Sequence, residues 1–191
     1  MYNKIFKRFI DVSLSLIGII LLALPMLIVA ILIRMEDAGP AIFKQKRVGN
    51  HKTYFNLYKF RSMKTSTPDV PTHLMNNSQD YITKMGHFIR KTSIDELPQL
   101  FNILKGDMSI IGPRPALWNQ DDLIAERDKY GANDVRPGLT GWAQVNGRDE
   151  LPIPKKAKLD GYYVKHQGLG LDILCFLKTI IVIFDSDSIK H

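Results

Sequence analysis

A helix-rich α/β fold is expected, with an N-terminal re-entrant membrane helix over residues 1–36 and a compact cytoplasmic domain over 37–191 that carries a small β-hairpin and amphipathic interfacial helices. Three observations predict it. Residues 12–33 (VSLSLIGIILLALPMLIVAILI) pass 22 positions without a charge. Pro25 falls near the middle of that run, and basic residues flank it on both sides. Beyond it the apolar pattern changes, first to two short strand-like segments and then to several stretches at helical spacing.

As a helix the uncharged run reaches about 33 Å at about 1.5 Å per residue, enough for the hydrocarbon core of a bilayer. A secretory signal would have a shorter apolar core, about 7–15 residues, with small residues at a cleavage site directly after it. Here Arg34, Glu36 and Asp37 follow. A buried core helix would seldom be apolar on every face. Lys4, Lys7 and Arg8 stand on one side of the run, and Arg34, Lys44, Lys46 and Arg47 on the other. Asymmetric flanks orient a spanning helix, and these flanks are symmetric. Pro25 removes one helical hydrogen bond and crowds the carbonyl of Leu21. Bend and symmetry together predict a helix that enters the membrane, turns and returns to the cytoplasmic face. Asp11, Ser13 and Ser15 are tolerable near the headgroups and costly deeper.

Ala41–Arg47 and Thr53–Phe60 read as two strands, with Gly49-Asn50 as the turn signal between them. Residues 64–80 are polar, contain Pro68 and Pro71, and predict a mobile loop that serves as a lid. Helices are expected over Tyr81–Lys91, Glu96–Leu104, Trp118–Tyr130 (ended by Gly131) and Pro154–Lys165. The apolar stretch 171–184, interrupted by Lys178, is short for a span and fits a buried helix or one lying on the membrane interface, of which the interfacial reading is preferred. The one cysteine, Cys175, rules out an internal disulfide and fits a reducing compartment.

A formal net charge of +7 over 191 residues points to an anionic partner: nucleic acid, anionic lipid or a phosphorylated substrate. Within this basic chain, residues 92–100 (TSIDELPQL) hold two adjacent carboxylates, Asp95 and Glu96, with Arg90 and Lys91 just upstream. Ser93 to Glu96 matches the capping-box pattern, although Pro98 would then press on the carbonyl of Ile94. With Asp95 as the cap instead, Pro98 falls harmlessly in the first turn. Either way the carboxylates sit at the positive end of a helix dipole, so capping and chemistry both remain open.

Two further stretches bear on that choice. GDMSIIGPRP (106–115) frames Arg114 with glycines and prolines, and RPGLTGWAQVNGR (136–148) brackets a glycine-rich segment with Arg136 and Arg148. Glycine lets backbone N–H groups approach an oxyanion, and arginine offers a planar fork to phosphate oxygens. One such stretch would be an ordinary turn. Two of them, with KFRSM (59–63), predict an anionic ligand. No phosphate-binding loop lysine signature, dinucleotide fingerprint or H-E-x-x-H occurs, and the five histidines are scattered and unassigned. A metal used here would be Mg²⁺, because hard carboxylate oxygen beside phosphate suits it.

These blocks are also the ones at which the chain resembles a known family, the small monotopic phosphoglycosyl transferases of the bacterial sugar transferase family. The resemblance lies in KRFIDVSLS (7–15), QKRVG (45–49), YKFRSM (58–63), SIDELPQLFNILKGDMSIIGPRP (93–115), RPGLTGWAQVNGR (136–148) and LDGYYVKH (159–166). It implies a catalytic domain on the cytoplasmic face of a bacterial inner membrane, held by a re-entrant helix. The implied reaction moves a sugar 1-phosphate from a UDP-sugar to a polyprenyl phosphate such as undecaprenyl phosphate, with Mg²⁺ and release of UMP. By position, Asp95 matches the family's nucleophile and metal-associated carboxylate, and Glu96 its dyad partner. Arg114 and Arg148 match phosphate-contacting elements, and Lys59 the basic residue of the K-F-x-x-M block. With Arg90 and Arg136 these make the expected substrate-binding set. Family members often carry Ser-Pro at the membrane break, where this chain has Leu24-Pro25.

Two other classes compete with the enzyme. A membrane-anchored scaffold would explain the anchor and the apolar C-terminal stretch, but not the Arg/Gly elements. A nucleic-acid binder would cluster its basic residues with interleaved aromatics, whereas here they spread over several loops, so no nucleic-acid partner is expected. The sequence selects neither the sugar nor an oligomeric state.

Overall fold

The computed structural model describes residues 4–68, 78–147 and 151–184. Helix α1 (Lys4–Glu36) runs 33 residues with Pro25 inside it, so the proline does not end the helix. Its buried positions form one stripe: Lys7, Asp11, Ser15, Met26, Val29 and Ile33. Steps of three and four residues keep such positions on one helix face. Near the middle, Gly18 lets α1 close on Leu100, whose Cδ1 would lie 3.2 Å from an added Cβ. Both ends of α1 therefore rest on the same body. Met26, Val29 and Ile33 share a core with Ala41, Phe60 and Ile89. At the other end Lys7 Nζ donates to Asp172 at 2.7 Å, and Asp11 accepts from Ser109 Oγ at 2.7 Å and Ile110 N at 3.0 Å.

The opposite face of α1 is apolar and bare, with Leu21 71% exposed. The window of lowest polarity has a mean hydropathy of 3.2. By length and composition α1 is able to cross a membrane, and an apolar face of this size marks an interaction surface. Helix α6 (Leu169–Phe184) is built the same way. Asp172 and Cys175 face inward, while Ile173, Phe176, Leu177 and Ile181 stand outside. That is the amphipathic arrangement the interfacial reading anticipated.

The hairpin forms from β1 (Ile42–Val48) and β2 (Tyr54–Phe60), antiparallel, with Ile42 opposite Phe60 and Val48 opposite Tyr54. Its turn departs from the Gly-Asn expectation. His51 and Lys52 adopt positive φ (50° and 58°), while Gly49 is extended. After the hairpin, Lys64 N donates to Tyr81 O. The proposed lid falls mainly on residues 69–77, outside the described residues. Helix α2 (Lys84–Lys91) starts at Thr83, whose Oγ1 accepts from Gly86 N. The Glu36 carboxylate accepts from Lys84 N at 2.7 Å and Met85 N at 2.9 Å, tying the end of α1 to the start of α2.

Helix α3 (Gln99–Lys105) leads to β3 (Ser109–Ile111), which pairs in parallel with β4 (Gly138–Thr140). Between these strands comes α4 (Asp121–Asp128), and after them α5 (Ile153–His166). The short parallel pair joins the two glycine-rich stretches, and it corrects the role given to their glycines. A Cβ on Gly141 would lie 1.9 Å from Gly112 O, and one on Gly138 would lie 2.1 Å from Gly112 N. These glycines let two main chains touch; they do not form an open anion cradle.

Candidate active site

The site is built where α2 hands over to α3. Ser93 takes a left-handed conformation (φ 56°), which costs a residue with a side chain about 1 kcal/mol. It makes no side-chain cap, and a single helical turn, Ile94–Glu96, follows. Pro98, fully buried, occupies the N-cap position of α3. The capping box is therefore not formed. Ile94 and Leu97 pack against the α1 core, while Asp95 and Glu96 face the end of the hairpin.

Lys59 of β2 reaches the pair, with Nζ 2.7 Å from Glu96 Oε1 and 3.6 Å from Asp95 Oδ2. Arg114 Nη2 lies 3.0 Å from the same Glu96 oxygen. Arg90 donates through Nε to Ser62 Oγ at 2.8 Å and interacts with the Asp95 charge. Asp95, Glu96, Lys59, Arg90 and Arg114 are thus brought together. Arg136 is not among them: its Nε donates to Gly106 O, at the far end of α3. There it joins Arg8, which donates to the carbonyls of Ile103 and Leu104. Those carbonyls lie in the last turn of α3, and a helix C-terminus draws cations. Arg148 lies outside the described residues.

The two adjacent carboxyls are held in opposite states. Burial opposes ionisation of Glu96, but the charges and hydrogen bonds of Arg114 and Lys59 overcome it and hold its carboxyl well below the usual range. Burial pushes the Asp95 carboxyl up, and the Glu96 charge adds to this, against Lys59 and Arg90. Environments that push neighbouring acids apart assign them different roles. If ionised Asp95 is the working form, activity will fall as pH drops through its raised pKa, above the usual range for an aspartate near 4. A pH profile of kcat/KM checks this. An acid limb at or below the ordinary aspartate value contradicts it.

Sequence reasoning missed the residues that position Arg114. Arg127 Nη1 donates to the Arg114 carbonyl at 2.9 Å, and Arg47 Nη1 to the Pro115 carbonyl at 2.9 Å. Arg127 is itself held by Asp160, with contacts of 2.6 and 2.8 Å. Nothing local in the sequence announces these links, since Arg127 sits inside a helix and Arg47 inside a strand. No group of three or more His, Cys, Asp or Glu able to hold a metal occurs among the described residues. Mg²⁺ commonly uses one or two carboxylates and completes its shell with phosphate and water. Asp95 fits that use: its charge is buried, and its nearest cation stands 3.6 Å away.

The pattern of the bacterial sugar transferase family matches residues 2–186, which include the whole of this cluster. The chain belongs to that family. Among its relatives is an uncharacterized sugar transferase of Bacillus subtilis, EpsL, 39% identical over 98% of this chain and 91% of its own length. The undecaprenyl-phosphate galactose phosphotransferase of Salmonella typhimurium is 38% identical over 97% of this chain and 42% of its own. An N-acetylgalactosaminephosphotransferase of Aeromonas hydrophila, named for UDP-N-acetylgalactosamine and undecaprenyl phosphate, is 41% identical over 91% of this chain and 42% of its own. The chain thus spans nearly all of the Bacillus relative but less than half of the two larger transferases.

Proposed function

We propose that this bacterial sugar transferase moves a sugar 1-phosphate from a UDP-sugar to a polyprenyl phosphate, in two steps through Asp95. In the first step an Asp95 oxygen attacks the β-phosphorus, the bond from that phosphorus to the bridging oxygen breaks, and UMP leaves with the electron pair. In the second, a phosphate oxygen of the polyprenyl carrier attacks the same phosphorus and the Asp95 carboxylate departs. One observation carries the reading: a buried, weakly paired carboxylate next to a second one neutralised by Lys59 and Arg114. A carboxylate nucleophile splits one difficult transfer into two easier ones. Arg114, placed by Arg127 and Arg47, stands where charge develops on the leaving nucleotide, and the fixed cation lowers the barrier there. Asp95 would hold a Mg²⁺ ion together with the diphosphate; when bound, that ion supplies neutralisation of phosphate charge.

The bare faces of α1 and α6 support a lipid-borne acceptor, since the protein then meets the carrier where the carrier resides. The experiment is UMP release from a panel of UDP-sugars with polyprenyl phosphate and Mg²⁺, by membrane-embedded protein. At least one UDP-sugar is expected to turn over, and excess chelator to stop it. No release from any donor would overturn the function, and undiminished release in chelator would overturn the metal.

Contacts at both ends of α1 with one body also support a monotopic arrangement, in which Met1 and the catalytic domain share the cytoplasmic face. With Cys175 replaced by serine, single cysteines at Asn3 and His51 are expected to react with an impermeant reagent from the same side. Labelling from opposite sides would reject it.

A further inference from the structure

Arg114 has a second side. It forms one wall of a cavity of about 80 Å³ that lies beyond Glu96, between the hairpin, α4 and α5. The lining divides into two characters. Arg47, Arg114, Arg127 and Lys156 line it with positive charge, and Asp160, which binds Arg127, adds one negative charge. Pro115, Ala116 and Leu123 supply a small apolar surface. A surplus of cations next to an apolar surface suits a ligand with an anionic end and a ring. Gln144 also lines the cavity. Its Nε2 donates to Leu139 O at 3.0 Å, which fixes the amide orientation. Its Oε1 is buried and has no hydrogen-bond partner among the described residues. A buried acceptor without a donor is costly, and such an atom calls for a specific explanation.

We infer that this cavity seats the nucleotide half of the donor, with its phosphate toward Arg47, Arg114 and Lys156 and the imide N–H of its base donated to Gln144 Oε1. This rests on the proposed UDP-sugar donor. It makes Gln144 the residue that selects the base. It also explains why Arg114 is shared: the arginine spans the bond that breaks, with the dyad on one side and the leaving nucleotide on the other. A base that lacks the ring N–H leaves Oε1 unpaired again, and sites built around a hydrogen bond reject such analogues strongly.

The test is calorimetric binding of UMP, N3-methyl-UMP and 2′-deoxy-UMP to the full chain in nanodiscs. In the wild type, N3-methylation is expected to weaken binding by at least about tenfold, and removal of the 2′-hydroxyl by less than about threefold. In Gln144→Met, UMP itself weakens by about tenfold and the methylation penalty disappears, the signature of one shared interaction. In Lys156→Gln, UMP weakens but the penalty persists, because the base contact is intact. Thermal melting verifies that each variant folds; if Gln144→Met does not, the wild-type analogue series decides alone. N3-methyl-UMP binding as well as UMP overturns the inference, as does a penalty that survives in Gln144→Met. A penalty on 2′-deoxy-UMP instead would give Oε1 to the ribose and overturn the base assignment. Wild-type UMP release from a UDP-sugar separates the two levels. If release occurs while methylation is silent, only this seat fails; if no donor gives UMP and UMP does not bind, the donor assignment fails with it.

Discussion

Asp95→Asn is expected to slow sugar-phosphate transfer by roughly a thousandfold or more, about 4 kcal/mol of barrier, while leaving the fold as stable as before or slightly more so. The rate loss follows because an amide is not a useful nucleophile toward phosphorus. The stability result follows from the direction of the Asp95 shift. Its folded pKa is raised above the unfolded value. Between those two values the folded protein binds the extra proton, so stability falls as pH rises through that window and stays lower above it. At neutral pH the ionised carboxylate therefore costs stability, and asparagine removes that cost. Turnover and thermal melting of the same preparation check both halves. A merely structural aspartate would show the reverse: near-normal turnover and a lowered melting temperature.

Glu96→Gln is expected to damage both stability and rate. Its oxygen Oε1 lies between two cations, 2.7 Å from Lys59 and 3.0 Å from Arg114. Removing one partner of a buried ion pair costs about 3–5 kcal/mol, and partial exposure brings this to about 2–4. Here the sign is opposite to that of Asp95. The folded Glu96 pKa is depressed, so its stabilisation is present above the unfolded value near 4.3 and lost as pH falls below it. The stability gap between wild type and Glu96→Gln is accordingly expected to close in acid. With Lys59 and Arg114 no longer held, transfer is expected to fall about a hundredfold, about 2.7 kcal/mol. The acid limb of the residual activity is expected to move to lower pH, because the Glu96 charge that raises Asp95 is gone. Melting curves and pH–rate profiles test this. An unchanged rate, or a limb that moves upward, would contradict the assigned roles.

Much of this site was legible in the sequence because it is local. Asp95 and Glu96 are adjacent, Arg90 lies five residues upstream, and the apolar run of α1 is continuous. The misreadings share a cause: distant partners outweighed local pattern. Ser93 has the spacing of a capping box, but α2 ends so close before it that the chain must turn sharply, and Ser93 goes left-handed instead. Lys7 and Arg8 do flank the uncharged run, but their partners, Asp172 (165 residues away) and the end of α3, left no local signal. Arg136, expected in the substrate-binding set, donates to the same helix end. The glycines at 112, 138 and 141 looked like an anion loop, whereas a three-residue parallel pairing, too short to leave a periodic signal, needs them for close approach.

The central claim is that Asp95 carries the sugar phosphate covalently. Wild-type protein incubated with a turned-over UDP-sugar and Mg²⁺, without polyprenyl phosphate, is quenched, digested and read by peptide mass spectrometry. One sugar phosphate is expected on the peptide containing Asp95, with UMP released in stoichiometric amount and the adduct discharged on adding polyprenyl phosphate. Efficient transfer to the carrier with no adduct and no acceptor-independent UMP would contradict it, and would require direct attack of the carrier phosphate on the donor.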